Sequence, residues 1–92
     1  MTTTIPIAEQ LTVTVPVLLF ASYADAFGSK RLSLAIEAPC SVASLVERMR
    51  ALPGGHVLPP NPAVAVNHHI VRPEHVVEPH DEVALIPPVA GG

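Results

Sequence analysis

At 92 residues, 49% of them apolar and one of them cysteine, the chain makes one small domain that can fold on a hydrophobic core without disulfides. Its formal charge of −3, with only five Lys and Arg, excludes the clustered cations that phosphate contacts need, so nucleic acid is not an expected partner. No apolar run approaches the ~20 residues of a membrane span. Met1 to Leu11 also lacks the basic start and apolar stretch of a signal peptide, so the expectation is a cytoplasmic protein with no membrane partner.

Residues 1–11 carry three threonines and a proline without periodicity and read as a poorly ordered N-terminal extension. From Thr12 to Phe20 the chain alternates at period two. Val13, Val15, Val17 and Leu19 fall on one face, and Thr14, Pro16, Leu18 and Phe20 on the other, which predicts a first strand. Pro16 has no N–H, so either one side of that strand is unpaired there or pairing begins beyond it. Ser22-Tyr23-Ala24-Asp25 has the spacing of a capping box and Gly28 suits a left-handed C-cap, predicting a short helix over 22–27. Arg31 to Glu37 alternates Leu32, Leu34 and Ile36 against polar or small residues, a second strand expected to pair with the first.

Ser41 follows as the N-cap of the main helix, whose stripe is Val42, Leu45, Val46, Met49 and Leu52, with Glu47, Arg48 and Arg50 on its outer face. Pro53-Gly54-Gly55 ends it, and a loop runs through Pro59-Pro60-Asn61-Pro62. Ala63 to Asn67 is a short strand, 67–69 a turn, and Ile70 to Arg72 a second extended piece stopped by Pro73. Val76-Val77 reads as part of a connector. Glu82 to Ile86 is the last strand, with Val83 and Leu85 facing inward. The order ββαβ(β)β predicts an α+β domain over 12–86. Its mixed sheet of four to five strands is covered by one main helix plus a short one, in the β-grasp (ubiquitin-like) arrangement.

After Ile86 the pair Pro87-Pro88 stops the strand, and Val89, Ala90, Gly91 and Gly92 follow as an extended tail. Six residues reach up to about 20 Å, and glycines without Cβ can thread a narrow channel. Two readings fit this segment: a reactive tail that enters another protein's active site, and a frayed end of small residues.

Val15 to Ala21, Pro39 to Met49, Ala65-Val66-Asn67 and above all Asp81 to Gly92 (DEVALIPPVAGG) resemble the small-subunit family of molybdopterin synthase. These are ubiquitin-like sulfur carriers of the MoaD/ThiS type. The resemblance implies that an E1-like adenylyltransferase uses ATP to adenylate the Gly92 carboxylate. A persulfide from a desulfurase or rhodanese-type donor then attacks and leaves a thiocarboxylate. The loaded tail, Pro87 to Gly92, enters the large subunit and gives its sulfur to cyclic pyranopterin monophosphate in molybdenum cofactor biosynthesis. It further implies that the chain binds no cofactor itself, is not catalytic alone, and joins a heterotetramer. Alternation places Phe20 and Ile86 on the face opposite the core, with Ile70 beside them; in the family these positions contact the large subunit.

Other signals point to structure. His68, His69, His75 and His80 are close in sequence, but adjacent histidines diverge in extended chain and no Cys-x-x-Cys accompanies them, so no metal site is expected. Cys40 precedes a helix without a base partner and reads as a small buried residue. Glu78, Asp81 and Glu82 read as a polar turn before a strand. The rival functions are a sulfur carrier of cysteine or thiamine synthesis, a ubiquitin-like protein modifier, and a plain binding module.

Overall fold

The computed structural model describes residues 11–88; the expectations placed on residues 1–10 and on Val89 to Gly92 lie outside the described residues. Strand β1 (Leu11–Leu19) leads through α1 (Ala21–Phe27) to β2 (Arg31–Ala38). A two-residue β3 (Cys40–Ser41) runs into α2 (Val42–Arg50), and a single 3₁₀ turn follows at Gly55–Val57. The remaining strands are β4 (Ala63–Val66), β5 (His69–Val71), β6 (Val76–Val77) and β7 (Val83–Ile86).

Five strands form one mixed sheet in the order β2-β1-β7-β4-β5. β1 pairs antiparallel with β2 and parallel with β7, while β4 is antiparallel to both β7 and β5. The last strand therefore lies in the middle of the sheet beside the first, which is the β-grasp arrangement.

Alternation explains which side is buried. One cross-strand row runs Leu32–Val17–Val83–Val66, and a parallel row joins Leu19, Leu85 and Val64; all of these but the half-buried Leu32 are buried. The α2 stripe of Val42, Leu45, Val46 and Met49 closes over this face, and Leu52 lies beyond the helix end, half-buried against the core. Ser41 caps α2 as expected, its Oγ accepting from the Ser44 N–H at 3.1 Å. Two more helix-start donors are met by backbone, Val42 N–H by His75 O and Ala43 N–H by Pro73 O.

Pro16 is accommodated on one side only. Leu19 N–H donates to Lys30 O at 2.9 Å, so the edge of β1 presented by position 16 is the opposite one, towards β7. Pairing with β7 covers Val17 to Leu19, which leaves the proline just before it starts.

Three local expectations are corrected. The capping box at Ser22-Asp25 does not form: the N-cap of α1 is Phe20, which has no side-chain hydrogen bond, and the helix starts at Ala21 with φ of 48°. Gly28 does end that helix in the left-handed region, at φ 77°. Val76-Val77 is not a connector but β6, paired antiparallel with Cys40–Ser41, and Val77 of that small second sheet is fully buried in the core. Cys40 is half-buried; burial pushes its thiol pKa up, partly offset by Arg48 nearby. Arg50 is not simply on an outer face. It donates to Leu58 O (2.7 Å) and Pro59 O (3.2 Å), strapping the loop after α2 to the helix.

Gly54 is required where it stands. Its φ is 93°, and a Cβ there would meet Ala26 O at 2.3 Å, so the turn after α2 presses directly on α1.

Candidate functional site

The sheet face turned away from α2 carries its own cross-strand row, Arg31–Leu18–Ala84–Ala65–Ile70. Ala84 and Ala65 form a low floor, and Ile70 stands at its margin with 67% of its surface exposed. In the next row Ile86 faces Ala63. Phe20 follows Leu19 by one residue and Ile86 follows Leu85, the two residues that pair across β1 and β7; Phe20 is 47% exposed and Ile86 half-buried. Phe20, Ile70 and Ile86 thus belong to one apolar surface, together with Leu18, Ala63, Ala65 and Ala84. The two alanines of the floor were legible as the outward positions of Ala63–Val66 and Val83–Ile86, but alanine alone does not distinguish a floor from ordinary surface. Exposed apolar residues gathered in this way mark a contact surface more than isolated ones do.

β7 leaves the sheet at the end of this surface. Ile86, Pro87 and Pro88 line an open groove with Tyr23, Pro59, Asn61, Pro62 and Ala63. Among the described residues no backbone pairing continues past Ile86, in keeping with the two prolines. Tyr23 is buried, its hydroxyl has no hydrogen-bond partner among the described residues, and burial pushes its pKa up.

The start of β7 is fixed by a polar clasp. Asn67 and His68 both have positive φ, 51° and 74°, which makes the β4–β5 connection a tight two-residue turn. From that turn Asn67 Nδ2 donates to Asp81 Oδ1 at 2.8 Å, and Asn67 Oδ1 accepts from Glu82 N–H at 2.9 Å. Asp81 Oδ2 also accepts from Glu78 N–H, so the Asp81 carboxylate holds a turn. His68 Nε2 lies 3.2 Å from Glu82 Oε1, and His69 Nδ1 lies 3.1 Å from Asn67 O. Among the described residues no three His, Cys, Asp or Glu side chains converge on a point that could hold a metal ion. No helix among them is long and apolar enough to cross a membrane.

The arrangement is a mixed sheet with an apolar outer face, from whose central strand the chain departs at Pro87-Pro88. Comparison with known proteins agrees with that shape. The profile described as the ThiS family matches residues 17–92. No curated protein sequence matches the chain. Among solved structures, SAMP1 from Haloferax volcanii superposes with a TM-score of 0.73 at 22% identity, covering 86% of this chain and 99% of its own. A Pyrococcus furiosus protein provisionally named molybdopterin converting factor, subunit 1, gives 0.71 at 22% identity, over 84% and 99%. Small archaeal modifier protein 1 from Methanosarcina acetivorans gives 0.67 at 23%, over 89% and 99%. At such identities the likeness fixes the fold alone.

Proposed function

The chain belongs to the ThiS family, and from that membership we propose that it is the sulfur-carrier subunit of molybdopterin synthase, with Gly92 as the atom-bearing end. The observation that carries the reading is where β7 delivers the chain. A central strand, locked at its start by Asn67, ends at Ile86 beside an apolar face, and the family match runs on through the tail to Gly92. A body that docks by its face while its tail reaches into a partner needs this geometry.

The chemistry follows from the weakness of a carboxylate as an electrophile. An E1-like adenylyltransferase joins the Gly92 carboxylate to AMP from ATP, with pyrophosphate leaving. The terminal sulfur of a donor persulfide attacks the acyl carbon, AMP leaves, and a thiol of the donor then cleaves the S–S bond, giving a thiocarboxylate and a disulfide. That sulfur is a softer nucleophile than the oxygen it replaced. In the large subunit it is transferred to cyclic pyranopterin monophosphate, towards the dithiolene that holds molybdenum. Phe20, Ile70 and Ile86 form the contact with the large subunit, and Pro87 to Gly91 position Gly92 in its active site.

The test is reconstitution. The full chain, loaded with sulfur by its activating enzyme, ATP and a donor, converts cyclic pyranopterin monophosphate to the dithiolene when the large subunit is added. Loading without that product, but with sulfur delivered to a cysteine- or thiamine-forming enzyme, assigns the carrier to those pathways. The names of the archaeal modifier structures raise a further outcome, attachment of Gly92 to lysines of other proteins. Isopeptide-linked conjugates in place of sulfur transfer would overturn the carrier reading.

A further inference from the structure

β2 is one margin of the five-stranded sheet, and among the described residues nothing pairs with its outer edge. Edge strands are usually blunted by being short, by proline, or by charges in the middle. β2 has eight residues, none of them proline, with Ser33 and Ala35 at its middle. Its two exposed charges of opposite sign, Arg31 and Glu37, stand near its ends.

Hydrogen-bond parity shows which groups are free. Leu19 N–H donates to Lys30 O, so Leu19–Lys30 is a hydrogen-bonded pair, and so is every second pair along the ladder. The even-numbered residues of β2 therefore bond to β1, whereas Arg31, Ser33, Ala35 and Glu37 turn their N–H and C=O groups to the outer edge; at Arg31 the Ser29 hydroxyl occupies both, accepting from its N–H at 3.2 Å and donating to its C=O at 2.7 Å, which leaves Ser33, Ala35 and Glu37 open among the described residues. The side chains of these four are exposed on the face away from α2.

We propose that this edge pairs with the same edge of a second copy of the chain, antiparallel about a two-fold axis at Leu34. Parity requires odd residues to face odd residues, which allows only centres one residue apart along the strand. Centring on Leu34 sets Arg31 against Glu37 of the second copy and Ser33 against its Ala35, each pair occurring twice. Ser33 and Ala35 of both copies then exchange ladder hydrogen bonds, the Ser29 hydroxyl turns aside at each end as Glu37 of the second copy takes its place on Arg31, and two cross-strand ion pairs close the ends. Centring on Ala35 sets Glu37 against Ser33 and Arg31 against Pro39, so neither charge meets its opposite, and centring on Ser33 sets Glu37 against Ser29, outside the strand. The charge pattern thus selects one register, and it is self-complementary, as an interface between identical copies must be.

The resulting ten-stranded sheet leaves the other margin, the Ala84–Ala65–Ile70 floor and the end of β7 uncovered. The two β7 strands lie five strand spacings apart, about 24 Å, and run in opposite directions, so the tails leave from opposite ends. The pairing is independent of the sulfur chemistry and is tested without it. Sedimentation of the full chain over a concentration series at low salt should show a monomer–dimer equilibrium. Glu37→Arg should weaken it roughly tenfold, because each end then sets two cations face to face. Adding Arg31→Glu to that variant should restore association to within a few-fold of the parent. A chain that stays monomeric up to about 1 mM, a dimer indifferent to Glu37→Arg, or a charge-swapped double variant that fails to recover overturns the proposal.

Discussion

Asn67 does two separable things: it adopts a left-handed backbone, and its amide ties the β4–β5 turn to the start of β7. Asn67→Ala loses both, and should cost about 2 kcal/mol in urea unfolding, whereas Asn67→Gly keeps the backbone freedom and should cost about half as much. Equal losses would mean that the amide alone matters. Tyr23 is the opposite case, a buried hydroxyl without a partner among the described residues. Removing an unmet donor from an apolar site relieves its desolvation, so Tyr23→Phe should leave stability unchanged or raise it by about 1 kcal/mol. A fall in the unfolding midpoint would show that the hydroxyl is bonded after all. Neither role could be read from the sequence. Asn67 is recognisable as a turn residue, but its partners Asp81 and Glu82 lie 14 and 15 positions away. The burial of Tyr23 depends on where α1 sits.

Elements were legible in proportion to their periodicity. Val13 to Leu19 at period two, the Val42–Met49 stripe and the Val83–Leu85 pair each contain enough repeats to name their buried face, and the structure buries those faces. β3 and β6 have two residues each and no period to detect; they form because Pro73 O and His75 O must meet the open N–H groups at the start of α2. The start of α1 differs from the expectation because Ser22 and Asp25 have the right spacing for a cap but are the second and fifth residues of a helix that Ala21 already begins. The outer face is where element and function meet. Ile70, at the edge of the alanine floor and mostly exposed, contributes little to the core. Ile70→Glu should therefore leave the thermal midpoint within a degree or two, because surface substitutions away from packed sites are usually worth less than about 0.5 kcal/mol. Binding to the large subunit should weaken at least tenfold, as when a charge is placed in an apolar contact. A variant that binds as well as the parent would remove this face from the interface.

For the whole molecule, topology and function are linked through one strand. In the order β2-β1-β7-β4-β5, the last strand is held on both sides, so the body cannot shift where the chain leaves it. The family match extends from β1 through the last residue, which joins the fold and the tail in one unit. The fold was legible from element order; the chemistry proposed for the tail comes from resemblance alone, since glycines carry no side chain to announce a reaction. The account therefore rests on the chemical fate of one carboxylate. The most direct measurement is the intact mass of the full chain after incubation with ATP, its activating enzyme and a sulfur donor, with fragmentation to locate any change. One oxygen should be replaced by one sulfur at Gly92, and deleting Gly92 should abolish the change. An unchanged mass, or sulfur found on Cys40 instead, would contradict it.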